Sequence, residues 1–130
     1  MPIELSILLW SIAFGLLQML ATGFAVNRQH GAAYAVGPRD EPVALTGIPG
    51  RIRRAFFNYM ETFPFLAGTV LIGYVLNRHN GLTESGAQLY LLARLLYWPF
   101  YVSGVRWVRT IIWLGSLVGI LMLLIGVARP

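Results

Sequence analysis

Two short series of polar residues carry the chemistry that this sequence offers. The first consists of Arg51, Arg54, Asn58 and Glu61, which are spaced 3, 4 and 3 residues apart. The second consists of Arg94, Tyr97 and Tyr101, which are spaced 3 and 4 residues apart. On an α-helix each spacing puts the side chains on a single face. Both series lie in apolar surroundings, where desolvating an ionisable group is costly, so they are candidates for a binding or catalytic site.

Each series also has a purely structural interpretation. Glu61 would form an ion pair with Arg94 or Arg54 that only fixes the packing of two helices. Tyr97 and Tyr101 would be ordinary aromatic residues at a membrane–water interface. The spacing alone leaves these alternatives open.

Composition indicates the environment of these residues. The chain is 57% hydrophobic and 12% charged, with a mean hydropathy of +0.66, whereas soluble domains are about 45–50% apolar and about 25% charged. All ten basic residues are arginines, and the net charge is +5. Nucleic-acid binding is not expected, because it needs a solvated basic face. The absence of cysteine excludes disulfides and a cysteine nucleophile, and two histidines alone cannot form a typical metal site.

Long apolar runs predict the helices, because about 20 apolar residues cross a bilayer. Residues 5–27 and 110–128 contain no charge, and two further runs between them contain few. A cleaved signal peptide is the weaker interpretation of the first run, because its leader is acidic. We therefore predict an all-α, integral membrane four-helix bundle in a single domain, 1–130, with helices at about 5–27, 51–77, 84–104 and 107–128.

The connections and the arginines predict a topology. The first connection, 28–50, is rich in glycine and proline, including Pro42, and is expected to contain no regular element. Positive charge is retained in cytoplasmic loops. Arginines beside the first and third connections are Arg28, Arg39, Arg51, Arg53, Arg54, Arg106 and Arg109, against Arg78 and Arg129 on the other face. Both termini should therefore face away from the cytoplasm.

One segment resembles the signature of a known family. Residues 51–64 read RIRRAFFNYMETFP and are similar to the pattern R-x-x-R-A-x-x-N-x-x-E-x-x-P of the membrane-associated proteins in eicosanoid and glutathione metabolism, the MAPEG family. The resemblance extends through the chain length, the four predicted spans and the segment 93–97. It implies a bacterial-type member, similar to microsomal glutathione transferases, in the bacterial inner membrane.

The resemblance implies a homotrimer that binds glutathione as co-substrate, without a metal, in clefts between subunits. The residues that would contact it are Arg51, Arg54, Asn58, Glu61, Arg94, Tyr97 and Tyr101. Glutathione has two carboxylates and one ammonium group, to which a row of guanidinium, amide and carboxylate groups is complementary. The arginines would bind its carboxylates, and Glu61 would bind its amino group.

The resemblance also implies an arginine near the fourth helix that stabilises the glutathione thiolate. Arg109 matches this position best, and Arg106 is the alternative. A cation and a helix N-terminus both lower the pKa of a thiol. Both arginines also have a structural interpretation as interfacial anchors that reach lipid phosphates.

Departures from the family pattern limit the activity that is implied. Thr62 stands where leukotriene-synthase-like members have a tyrosine, and Gly50 replaces an acidic residue, so a dedicated eicosanoid synthase is not expected. The implied function is a membrane-embedded glutathione transferase or peroxidase that acts on lipophilic electrophiles or hydroperoxides. The alternative is a non-catalytic trimeric membrane scaffold or regulator that retains the family fold but has lost turnover. The complete set from Arg51 to Glu61 favours the enzyme.

Overall fold

A computed structural model describes residues 1–38, 40 and 44–129. These residues form five helices: α1 (Ile3–His30), α2 (Ala32–Val36), α3 (Gly47–Val75), α4 (Gly81–Val102) and α5 (Arg106–Ala128). No strand occurs among the described residues. The predicted all-helical class is therefore confirmed. Arg39 and Pro42, which entered the prediction of topology, lie outside the described residues.

The first connection differs from the prediction. Residues 28–50 were expected to lack regular structure, but α1 continues to His30 and a short helix, α2, follows it. Gly31 has φ +88°, a conformation suited to glycine, and this residue separates the two helices. Helix α3 begins at Gly47, and Pro49 lies in its first turn, where the N–H group that proline lacks would have no partner within the helix.

Two helices, α1 and α5, are long and apolar enough to cross a membrane. Helices α3 and α4, with 29 and 22 residues, have the length but carry the polar series. Large apolar side chains are exposed along the outer surface, for example Trp10 at 65% and Ile111 at 67%. Such a surface suits lipid and not water. These features and the composition indicate a membrane protein.

One end of the helices is held together by a buried carboxylate. Glu4, at the start of α1, is 3% exposed and accepts a hydrogen bond from the hydroxyl of Thr83 in α4. His79 lies 3.4 Å from the same carboxyl group. Asn80 caps α4 by accepting from two backbone N–H groups of its first turn, which explains why α4 begins three residues before the predicted 84.

The opposite end carries most of the arginines. Gln29 at the end of α1 is hydrogen bonded to Thr46 just before α3. Arg51 in the first part of α3 donates to the carbonyl of Val102 at the end of α4, over 3.3 Å. The start of α3, the end of α4 and the start of α5 therefore meet at this end, where the two polar series also lie.

Helices α4 and α5 are in direct backbone contact. A Cβ atom placed on Gly119 would lie 2.7 Å from the carbonyl oxygen of Gly86 and 2.8 Å from the backbone nitrogen of Tyr90. A Cβ atom on Gly115 would have only an ordinary contact, at 3.9 Å from Ala93. Only the second glycine of this GxxxG pair therefore permits the close approach.

Candidate functional site

The two polar series meet in an open cleft between α3, α4 and the start of α5. The cleft has a volume of about 310 Å³. Its lining residues are Arg54, Phe57, Asn58, Glu61, Tyr97, Tyr101 and Arg109. Helical spacing explains the contributions of α3 and α4, because residues three or four apart share one face.

Tyr101 contacts two of the arginines in the cleft. Its hydroxyl accepts a hydrogen bond of 3.2 Å from Nε of Arg54. The guanidinium carbon of Arg109 lies 5.0 Å from the centre of its ring, within the range of a cation–π interaction. Tyr101 thus orients one arginine through its hydroxyl and the other through its ring. The terminal nitrogens of Arg54 are not used by Tyr101.

Arg94 lies behind the cleft and does not line it. Its side chain is 1% exposed, and its NH1 donates a hydrogen bond of 2.9 Å to the amide oxygen of Asn58. The rings of Tyr97 and Tyr59 lie 4.3 Å and 5.4 Å from its guanidinium carbon. The charge is therefore stabilised by an amide and by two aromatic faces. Because the amide oxygen of Asn58 accepts the hydrogen bond from Arg94, the NH2 group of Asn58 remains as a donor for another acceptor.

Glu61 is exposed in the cleft. Within the described part of the chain it forms no ion pair with Arg94 or Arg54. The ion pair of Glu61 with Arg94 or Arg54, which was one interpretation of the sequence, is therefore absent from the described residues. Arg94 is hydrogen bonded to the amide oxygen of Asn58 instead. The Glu61 carboxylate is available to a cationic group of a ligand.

Arg109 and Arg106 differ in their access to the cleft. Two smaller hollows adjoin it: one of about 130 Å³ that extends to Thr110 and Trp113, and one of about 260 Å³ that extends to Arg51 and Arg106. Arg109 lines all three spaces, whereas Arg106 lines only the last. Arg106 is exposed, and its guanidinium lies 6.0 Å from the ring of Trp107.

Arg51 also lies outside the central cleft. Its guanidinium group donates to Val102 and also packs on Gly104. A Cβ atom on Gly104 would lie 3.2 Å from the central carbon of the Arg51 guanidinium group. Gly104 has φ +79°, so this tight turn and the close approach both require glycine. The structure thus joins Arg51 to the turn between α4 and α5, and not to Asn58 and Glu61.

Four lining residues were not predicted from the sequence: Phe57, Gly104, Thr110 and Trp113. Phe57 and Trp113 are the two with a signal in the sequence. Phe57 follows Arg54 by three residues, and Trp113 follows Arg109 by four. This helical spacing was the signal that would have identified them. Among the described residues, no cluster of three histidine or acidic side chains is suited to a metal ion.

Most of the chain is similar to a known protein family. The sequence model that describes the MAPEG family matches residues 7–129 of the chain. The match includes every residue of the cleft and of the two smaller hollows. No curated protein matches the chain.

Proposed function

The chain belongs to the MAPEG family, and from this premise we propose that it is a membrane enzyme that transfers glutathione to lipophilic electrophiles or uses it to reduce lipophilic hydroperoxides. Membership supports, in general, a glutathione-related transferase or peroxidase role or a role in eicosanoid metabolism. The observation that carries the finer proposal is the cleft that combines arginine, amide and carboxylate groups with Arg109 at the start of α5.

The lining of the cleft supports glutathione as the ligand. Arg54 has terminal N–H groups for a carboxylate, and the exposed Glu61 carboxylate suits the ammonium group. Asn58, held by Arg94, would donate its NH2 group to a second acceptor of the tripeptide. Tyr97 and Tyr101, whose ring centres lie 5.5 Å apart, form the wall beside these groups.

The reaction follows from the chemistry of the thiol. In the proposed reaction the nucleophile is the sulfur of glutathione, since the chain itself has no cysteine thiol. Arg109 stabilises the thiolate once the thiol proton has left to water. In a transfer reaction the thiolate forms a bond to an electrophilic carbon, and the leaving group departs with its electron pair. With a hydroperoxide the thiolate attacks the distal oxygen, the O–O bond breaks, and the alkoxide takes a proton from water and leaves as the alcohol. The thiol of a second glutathione then attacks the sulfur of the resulting glutathione sulfenic acid, which gives the disulfide and releases water.

Binding of glutathione tests the site directly. Arg54→Ala or Asn58→Ala is expected to weaken binding by about 1–3 kcal/mol, since each removes a hydrogen bond to a charged or polar group of the ligand. Isothermal titration calorimetry of the purified protein with glutathione measures the effect. Arg129→Ala is the control, because it removes the same charge from an exposed position at the opposite end of the helices and Arg129 lines none of the three spaces. Unchanged affinity in both cleft variants would refute this glutathione site.

A homotrimer is part of the same proposal. Glu61 is exposed in the single chain. An unpaired charge within a bilayer would cost several kcal/mol, and a neighbouring subunit would cover it. We expect a trimer by native mass spectrometry in mild detergent, with three clefts. A monomer that still binds thiols would contradict this arrangement.

The distribution of the arginines supports a proposed orientation in the membrane. We propose a multi-pass protein of a bacterial inner membrane, with the cleft at the cytoplasmic face and both termini away from it. Positive charge beside the first and third connections supports this orientation.

A further inference from the structure

The larger of the two hollows beside the cleft is lined mostly by positively charged residues. Its six lining residues are Arg51, Arg54, Tyr101, Gly104, Arg106 and Arg109, and its volume is about 260 Å³. Four of the six are arginines, and none of the described lining residues is acidic. Guanidinium groups gathered around one hollow repel one another, and a bound anion would relieve this repulsion.

Glutathione does not account for all of this charge. Arg54 and Arg109 also line the central cleft, but Arg51 and Arg106 line only the hollow. One glutathione thiolate carries two carboxylates, one thiolate and one ammonium group, a net charge of −2. Four arginines and Glu61 carry +3, so one positive charge is left over on the side of Arg51 and Arg106.

The groups around the hollow are free to bind an anion. Within the described residues, Arg106 donates no hydrogen bond to the protein. No side chain caps the first turn of α5, which begins at Arg106, so its backbone N–H groups add to the positive potential. Arg51 donates through NH1 to Val102, and its NH2 has no acceptor among the described residues.

The location of the hollow indicates which anion reaches it. It lies where the apolar part of α5 begins, beside Trp107, which is 73% exposed. Exposed tryptophan next to arginine is typical of the headgroup region of a bilayer. Phosphate groups of phospholipids occupy this region, and guanidinium groups bind them in bidentate fashion.

We propose that this hollow is a second anion site, separate from the glutathione cleft, which binds the phosphate group of an anionic membrane lipid through Arg51 and Arg106. A free phosphate anion has the same chemistry and is distinguished by the test. The lipid would hold the turn 103–105 at the membrane surface. It would also neutralise the charge next to Arg109 without occupying the cleft.

Titration calorimetry in a non-ionic detergent at fixed ionic strength tests the proposal, with the full-length protein and no glutathione. The probes are dihexanoyl phosphatidylglycerol, dihexanoyl phosphatidylcholine and sodium phosphate. We expect the wild type to prefer phosphatidylglycerol. Arg106→Gln should weaken its binding about tenfold or more, as expected for one lost charge-assisted hydrogen bond. Arg106→Gln breaks no hydrogen bond within the described residues, and its melting temperature checks the fold.

Arg53→Gln is the matched control and should bind phosphatidylglycerol like the wild type. If sodium phosphate binds as tightly as the lipid and Arg106→Gln loses both, the site stands and its ligand is free phosphate. Equal losses in Arg106→Gln and Arg53→Gln would reveal general attraction to a basic surface and overturn the site. Equal binding of phosphatidylglycerol and phosphatidylcholine would also overturn it, and so would stoichiometric displacement of phosphatidylglycerol by glutathione. A failure of glutathione to bind would refute only the proposed enzyme.

Discussion

Arg109→Ala is expected to remove most of the glutathione-dependent activity while glutathione binding changes little. Arg109 lines the cleft and both adjoining hollows, and its guanidinium packs on Tyr101. Its loss would raise the pKa of the bound thiol by about two units, or about 2.7 kcal/mol of thiolate stabilisation. At neutral pH the thiolate fraction, and with it the rate of conjugation, would fall up to about 100-fold.

Two measurements check this expectation. Ultraviolet difference absorbance of bound thiolate across a pH titration gives the thiol pKa. Conjugation with chlorodinitrobenzene gives the rate. The sign follows from charge: removing a cation disfavours the anion, so the titration curve must move to higher pH.

Arg106→Ala is the comparison variant and should shift the thiol pKa less, because Arg106 reaches only the hollow beyond the cleft. The opposite ranking would assign the thiolate to Arg106. If neither variant differs from the wild type, and the wild type has no thiolate band and no turnover, the chain is a scaffold and the enzyme proposal fails.

Gly119→Ala is expected to destabilise the protein strongly. The new methyl group would lie 2.7 Å from a carbonyl oxygen of α4 and 2.8 Å from a backbone nitrogen, both of which belong to backbone that cannot rotate away. Overpacking of this kind costs about 1–3 kcal/mol, and we expect the upper part of that range because backbone is involved. The loss is measured as the free energy of unfolding in mixed micelles of non-ionic detergent and dodecyl sulfate.

Gly115→Ala serves as the control, because its nearest neighbour, Ala93, would be at 3.9 Å. It removes a glycine from the same helix one turn away, so both variants gain the same helix propensity. Equal stability of the two variants would mean that α4 and α5 are not as close as the structure has them.

Local periodicity let the sequence predict much of the candidate site. Arg54, Asn58 and Glu61 line one cleft because residues three and four apart share a helical face whatever surrounds the helix. The same reasoning brought Tyr97 and Tyr101 together. The family signature in 51–64 likewise lies within one helix. Composition, which requires no fold, was enough to indicate a membrane protein.

Tertiary structure alone decided how these faces are used. Arg94 belongs to the same series as Tyr97, yet it is buried behind Asn58, because the position of α3 against α4 sets its depth. The sequence ranked Arg109 above Arg106 only by its match to the family pattern, and the tertiary structure shows that Arg109 lines the cleft whereas Arg106 lines only the adjoining hollow. Glu4 was noted in the sequence only as the acidic residue before the first apolar run, but it is buried against Thr83, 79 residues away. Contacts between residues so far apart in the sequence depend on how the helices pack against one another, and no pattern within one helix encodes that packing.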